Sequence, residues 1–283
     1  MTPLLGGIGA ALAWASATLF AASSSRRIGG VSTLAWVMVS GFIVAAPIAA
    51  ATGWPEGLDG PAAGWLALAG AGNVGGLALL YAGMRTGQIG VLASIASTEG
   101  AIAALFAIAD GERPATLTMI GFVPLVAGVV MVALGPEASL RTTVPGRRGA
   151  IAFAVGAATF FGLSLFAAGQ ASASVPIGWV ALPARVVGVA VLVGALVAGA
   201  RPLVAPRLGR LAFVAGIFEV LGILSFAWGA REGIAITSVV SSQFAALTAL
   251  GAFLVFSERL VRRQVVGVGI VAIGVALVAL GGA

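Results

Sequence analysis

The sequence predicts an all-α integral membrane protein, with ten transmembrane helices arranged as two inverted five-helix repeats. Three observations carry this reading: the composition, the length of the apolar runs, and a second half that repeats the first at a fixed offset. Of the 283 residues, 60% are hydrophobic and 8% are charged, and the mean hydropathy is +1.13. A soluble domain covers its surface with about 25% charged residues. Here the charges fall in short clusters between apolar runs of about 20 residues, the length that crosses ~30 Å of hydrocarbon. A transmembrane barrel needs short segments of alternating polarity, and residues 31–52 and 121–134 do not alternate.

Each span is bounded by Gly, Pro or charge. The first, 4–23, is an Ala-rich run closed by Arg26 and Arg27. The second, 31–52, follows Gly29-Gly30 and stops at Gly53. The third, 63–83, opens after Asp59-Gly60-Pro61, and the fourth, 90–109, ends at Asp110-Gly111. The fifth, 117–134, begins after Arg113-Pro114 and ends at Gly135-Pro136. The sixth, 149–169, follows Arg147 and Arg148; the seventh, 177–199, follows Pro176. The eighth, 211–229, lies between Arg210 and Arg231, the ninth, 235–255, between Gly233 and Glu258-Arg259, and the tenth, 265–281, follows Arg262 and Arg263. The longest connection, 135–148, divides the chain into a first repeat over 1–135, a central linker over 136–148 and a second repeat over 149–283. The first span is expected to be a helix rather than a cleaved leader, because its arginines follow the apolar run instead of preceding it.

The chain has no Cys and no His. Disulfides, thiolate nucleophiles and imidazole bases are therefore excluded, as are the commonest metal ligands, and no cofactor is expected. The net charge of +6 is spread singly or in small groups between spans, which marks membrane orientation rather than nucleic-acid binding. All 15 basic residues are Arg, in keeping with a GC-rich bacterial genome and a place in the bacterial cytoplasmic (inner) membrane. Number each loop by the span it follows. The odd loops hold Arg26, Arg27, Arg85, Arg141, Arg147, Arg148, Arg201, Arg207, Arg210, Arg259, Arg262 and Arg263; the even loops hold only Arg113 and Arg231. The positive-inside rule puts the odd loops in the cytoplasm and both termini outside.

A shift of 146 residues lays the second half on the first without gaps. It places residues 19–22 on 165–168, Gly76 on Gly222, Arg85 on Arg231, Glu112-Arg113 on Glu258-Arg259, and 132–135 on 278–281. Two Glu-Arg pairs in register, each before a Gly-spaced helix, are hard to produce by chance from an apolar alphabet. Five spans per repeat is an odd number, so the second copy enters the membrane upside down. Inverted repeats allow a site at their interface to open first to one side of the membrane and then to the other. The pattern implies a secondary transporter working by alternating access.

These residues resemble the drug/metabolite transporter superfamily, in particular its EamA-type members. The resemblance rests on ten spans in two repeats, a fourth repeat span ending in Gly-Glu-Arg or Ser-Glu-Arg, and a Gly-rich fifth. It covers essentially the whole chain. In the family, Glu often precedes a Pro in the fourth span; here Glu99 is followed by Gly100, and Ala245-Ala246 stand at the equivalent place. Many relatives carry an Arg in the second span, which is absent from 31–52. The resemblance implies that the third and eighth spans line a cavity.

Charges inside spans are functional candidates by default, since each costs about 2.5–3.5 kcal/mol on insertion scales. They are Glu99, Arg185 and Glu219, and the offset lays Asn73 on Glu219. Asn73 and Glu219 would then face each other across a central cavity. With no His, proton coupling has to pass through a carboxylate, and Glu219 is the first candidate to bind a proton or a cationic group. The alternative is a structural Glu, either simply protonated or paired with Arg185. Arg185, two residues after Pro183, can clamp a carboxylate or snorkel towards the outer surface. Glu99 can line the cavity or bond to neighbouring hydroxyls. Gln243, beside Ser241 and Ser242, is a further cavity candidate, and Trp14 and Trp36 are candidate walls. Tyr81 and Trp228 lie near odd-loop ends and are expected as interface anchors. Gly72 and Gly76 read as a packing pair, and the two Glu-Arg pairs as structural or gating contacts.

The expected function is transport, in the export direction, of a small organic metabolite or amino acid, with the lipid bilayer as surroundings and a proton as candidate co-substrate. Nucleic acid is not an expected partner. An uncoupled facilitator or exchanger is the alternative, followed by a channel or an intramembrane enzyme, which would have to work with carboxylates alone.

Overall fold

A computed structural model describes residues 1–56, 58–83, 92, 95–133, 147–200, 203–256 and 262–281. Among these residues the chain is helical, with no strand. The helices are α1 (Thr2–Ile28), α2 (Gly30–Ala51), α3 (Gly60–Gly83), α4 (Glu99–Ala109), α5 (Thr116–Ala133), α6 (Arg147–Ser174), α7 (Ile177–Val197), α8 (Pro206–Ala230), α9 (Ile234–Ser241), α10 (Phe244–Phe256) and α11 (Arg262–Gly281). Six of them, α1–α3 and α6–α8, are long and apolar enough to cross a membrane, and the shorter apolar ones complete an all-α membrane protein of about ten helices. The sequence placed a single continuous helix over 235–255. The chain instead breaks at Ser242-Gln243, between α9 and α10.

Helix ends follow local chemistry. Pro3 and Pro206 sit in the first turns of α1 and α8, where a missing amide donor costs nothing. Arg26 and Arg27 occupy the last turn of α1, where the helix dipole favours cations. The helix α6 runs five residues past the apolar span read from the sequence, to Ser174. Its polar end is held from outside, since Arg231 donates from Nε to Ser172 O (2.8 Å) and from Nη2 to Val175 O (2.9 Å).

The packing pairs helices across the middle of the chain: α1 with α8, α3 with α6, α2 with both α7 and α8, and α5 with α11. The offset of 146 turns α1 into α6 and α3 into α8, so the first two pairs are exchange partners. The contact of α2 with α8 has its counterpart in α3 with α7, and that of α4 with α6 in α1 with α9 and α10. These contacts depend on small residues. A Cβ on Gly6 would lie 2.5 Å from Gly229 Cα and 2.8 Å from Ser225 O, so only glycine lets α1 and α8 approach this closely. Gly72 and Gly76 of α3 similarly admit Phe160, Ser164 and Phe161 of α6, the packing role expected for them.

The two halves are also tied at the even-loop end. Glu112, in the loop after α4, accepts from the amides of Ile234 (2.7 Å) and Ala235 (2.9 Å), which open α9. Gln170 donates to Asp110, Thr237 Oγ1 donates to Pro3 O at 3.3 Å, and Trp179 Nε1 donates to Gly53 O at 2.8 Å while its ring meets Trp54 edge-on. Glu112 thus makes the structural contact expected of its Glu-Arg pair. The counterpart Glu258-Arg259 lies outside the described residues, as do Arg85, Arg141, Arg201 and most of the 136–148 linker.

Candidate functional site

Among the described residues Arg185 is the largest fully buried side chain, with no exposed surface. It does not snorkel. Its stem runs against α2 at Gly41, where a Cβ would lie 2.7 Å from Arg185 Cδ and 2.9 Å from Nε. Glycine there is what leaves room for the guanidinium. One end of the fork, Nη1, points at Met38 Sδ (3.7 Å), and Nη2 lies 3.6 Å from Glu219 Oε2. Arg185 and Glu219 therefore form the ion pair that the sequence offered as the alternative role for Glu219, at the junction of α2, α7 and α8. Burying two charges costs several kcal/mol per ion unless their geometry is good. At 3.6 Å the contact is long for a charge-assisted hydrogen bond, which is about 2.7–2.9 Å.

Glu219 keeps 10% of its side chain exposed, where Arg185 keeps none. Glu99 opens α4, is 4% exposed, and lies within electrostatic reach of Glu219. The helix α3 adds Tyr81, within reach of both Glu219 and Arg185. Tyr81 corrects an expectation: it is 2% exposed and packs inside the bundle rather than anchoring an interface. Trp228, at 44% exposure, faces outward, but it closes α8 beside Arg231 at the even-loop end rather than at an odd-loop end.

Glu99 and Gln243 meet at one crossing. The chain turns at Ser97-Thr98 before α4, and at Ser242-Gln243 before α10. The offset brings these two turns within a residue of each other. They pack directly, since a Cβ on Gly100 would strike Ser238 O and lie 2.6 Å from Ser242 Cβ. Helix interruptions inside a membrane are tolerated where they are buried in protein or line a cavity, and here side chains occupy the freed carbonyls. Ser241 donates to Ser238 O (3.0 Å), Ser242 to Val239 O (2.8 Å), and Gln243 Nε2 to Val239 O (2.9 Å). Gln243 Oε1 is buried with no partner, and so are Asn73 Oδ1 on α3 and Ser238 Oγ on α9. Asn73 lies one turn beyond Gly70, where α3 packs on Pro183 and Ala184 of α7.

The two tryptophans are packed differently. Trp14 is 7% exposed, covers Gly222 and tilts against Phe226 with ring centroids 6.1 Å apart. It is part of the α1–α8 seam. Trp36 abuts Gly209 of α8, with its indole Nε1 buried and unpartnered.

Among the described residues no cluster of His, Cys, Asp or Glu could hold a metal ion. The candidate groups are a buried ion pair, a second carboxylate, a tyrosine and unpaired amide oxygens, held within an apolar bundle. That fold and site define a multi-pass helical membrane protein with a polar interior. Residues 1–134 match the family model of the EamA-like transporter family. A solved protein crystal structure shares 20% sequence identity, covers 98% of this chain and 96% of its own, and superposes with a TM-score of 0.75, so the fold extends over the whole chain. No curated protein matches the chain. Over residues 1–134 the chain is similar to the EamA-like transporter family, and the solved structure, at its low identity, shows a shared fold.

Proposed function

We propose that the protein is a secondary transporter that exports a small organic metabolite by alternating access, with Glu219 as its binding or coupling carboxylate. The observation that carries this reading is the Arg185–Glu219 pair, placed where α2 of the first half meets α7 and α8 of the second, with about a tenth of the Glu219 side chain still exposed. The exchange-related contacts of α1 with α8 and α3 with α6 support two repeats, over 1–135 and 149–283, that rock against each other about this site. Breaks in α-helical chain at 97–98 and 242–243 supply the irregular backbone from which such transporters build their sites. A carrier needs no nucleophile or metal, in keeping with a chain that has neither His nor Cys. The arginine distribution supports a bacterial inner-membrane protein with its odd loops inside.

The test uses proteoliposomes with an internal pH dye and a panel of amines, amino acids and organic acids. Saturable, solute-dependent proton movement that vanishes in Glu219→Gln is the expected result. Saturable flux with no proton movement would make the protein a facilitator or exchanger. Unaltered coupled flux in Glu219→Gln would remove Glu219 from the mechanism.

A further inference from the structure

Arginine collects at the odd-loop end of the chain, and helix packing gathers part of it into one corner. The helices α1 and α8 run antiparallel: Gly6 meets Gly229, Trp14 covers Gly222, and Phe20 stacks on Phe218 with ring centroids 5.9 Å apart. Carried past Phe20, that register brings Arg26 and Arg27, in the last turn of α1, to the level of Arg207 and Arg210 at the start of α8. The helix α2 closes the corner. It runs parallel to α8, with Trp36 on Gly209 and Ser40 on Gly216, and its Thr33 donates to Ser24 Oγ of α1 at 3.1 Å.

Arg26, Arg27, Arg207 and Arg210 are all exposed. None has a carboxylate partner among the described residues, where the one ion pair is Arg185–Glu219. The described carboxylates outside the spans, those of Glu56, Asp59, Asp110, Glu112 and Glu232, all belong to even loops. The helix dipole accounts for the arginines of α1, since a C-terminus favours cations. It opposes those of α8. An N-terminus favours anions, and this one has no acidic residue in its first turn and no side-chain cap. Arg207 therefore adds positive charge where the free amides already supply it. Polar groups nearby are unpartnered as well: Ser25 Oγ precedes Arg26, and Trp36 Nε1 is buried against Gly209. The positive-inside rule puts arginine at this end, but it does not gather four of them at one junction of three helices. Apolar side chains stand among the charges, with Leu208 59% exposed between the two arginines of α8 and Val31 69% exposed at the start of α2. A charged head with a hydrocarbon tail meets both features, whereas a free anion meets only one.

We propose that this corner of α1, α2 and α8 binds an anionic phospholipid, its phosphate received by Arg26, Arg27, Arg207 and Arg210 at the open N-terminus of α8 and its acyl chains lying against Leu208 and Val31. Guanidinium groups meet phosphate oxygens two at a time, and basic clusters beside a span attract acidic headgroups. The lipid bridges α1 and α2 of the first half to α8 of the second, so its binding raises the stability of the pair.

The test titrates the purified, delipidated full chain in detergent with dioleoyl phosphatidylglycerol, dioleoyl phosphatidylcholine or inorganic phosphate. Melting midpoints and lipid retained in native mass spectrometry are the readouts. Phosphatidylglycerol should raise the midpoint saturably and be retained at a concentration at least about fivefold below that needed for phosphatidylcholine. Arg207→Gln/Arg210→Gln and Arg26→Gln/Arg27→Gln should each weaken its retention by about fivefold or more, and either pair serves if the other does not fold. Arg262→Gln/Arg263→Gln, on α11, which packs on α5, should change it by less than about twofold. Equal retention of the two lipids, or no retention of either, would overturn the assignment. So would an equal loss in the α11 variant, which would show a diffuse field of the whole basic end. A matching shift from inorganic phosphate would show a free-anion site in place of a lipid site. Solute flux in proteoliposomes decides the carrier reading separately, and none of these outcomes alters it.

Discussion

Glu112 joins the two halves of the chain by a contact whose worth can be worked out. Its carboxylate accepts two amide hydrogens from the first turn of α9, at 2.7 and 2.9 Å. Those amides have no partner within the helix, so the loss of the carboxylate leaves them to water. A hydrogen bond to a charged group contributes about 1.5–3 kcal/mol when well shielded. A capping side chain replaced by Ala costs about 0.5–2 kcal/mol. Glu112 is half-buried, so water recovers part of the loss, and Glu112→Ala should destabilise by about 2 kcal/mol. At roughly 2–4 °C per kcal/mol for a chain of this size, the melting midpoint in detergent should fall by about 4–8 °C. Glu112→Gln keeps one acceptor oxygen and should fall about half as far. Glu232→Ala, an exposed neighbour, should leave the midpoint within about a degree, by the usual small effect of surface substitutions. If Glu112→Ala melts with Glu232→Ala, the cap does not hold the even-loop end together.

Two further predictions concern packing. Gly41→Ala places a Cβ 2.7 Å from Arg185 Cδ, and overpacking of this kind costs about 1–3 kcal/mol; it should lower both stability and flux, and unchanged flux would mean that Arg185 does not hold Glu219. Gly6→Ala, which meets backbone at 2.5 Å, should destabilise by a similar amount, whereas Gly194→Ala, with no atom within 4 Å, should be neutral or gain up to about 1 kcal/mol of helix propensity.

The bundle was legible in the sequence because apolar runs of membrane length are separated by Gly, Pro and Arg, and those signals do not depend on neighbours. The buried charges were legible for a related reason. A charge within such a run stands out, and Glu219, Arg185 and Glu99 all proved to be buried together. The pairing of Glu219 with Arg185 was open in the sequence, one of two roles for Glu219, because it depends on rotation about the helix axis. A helix that is apolar all round carries no amphipathic stripe to reveal that rotation. Tyr81 was misplaced on that account: its position near a loop suggested an interface, while its rotation points it inward. The break at Ser242-Gln243 was hidden by hydrophobicity that continues through it. Its only local sign is a run of hydroxyl and amide side chains, which bond back to the backbone in turns.

Alternating access between the two halves is tested most directly by the distance across the even-loop end. The chain has no native cysteine, so Ala115→Cys and Glu232→Cys can carry spin labels at two exposed positions, one in each half. In liposomes, two distance populations should be present, the shorter one corresponding to the Glu112-capped arrangement. A transported solute should shift their ratio, and Glu112→Ala should enrich the longer. A single distance that no transported solute alters would contradict alternating access at this end of the molecule.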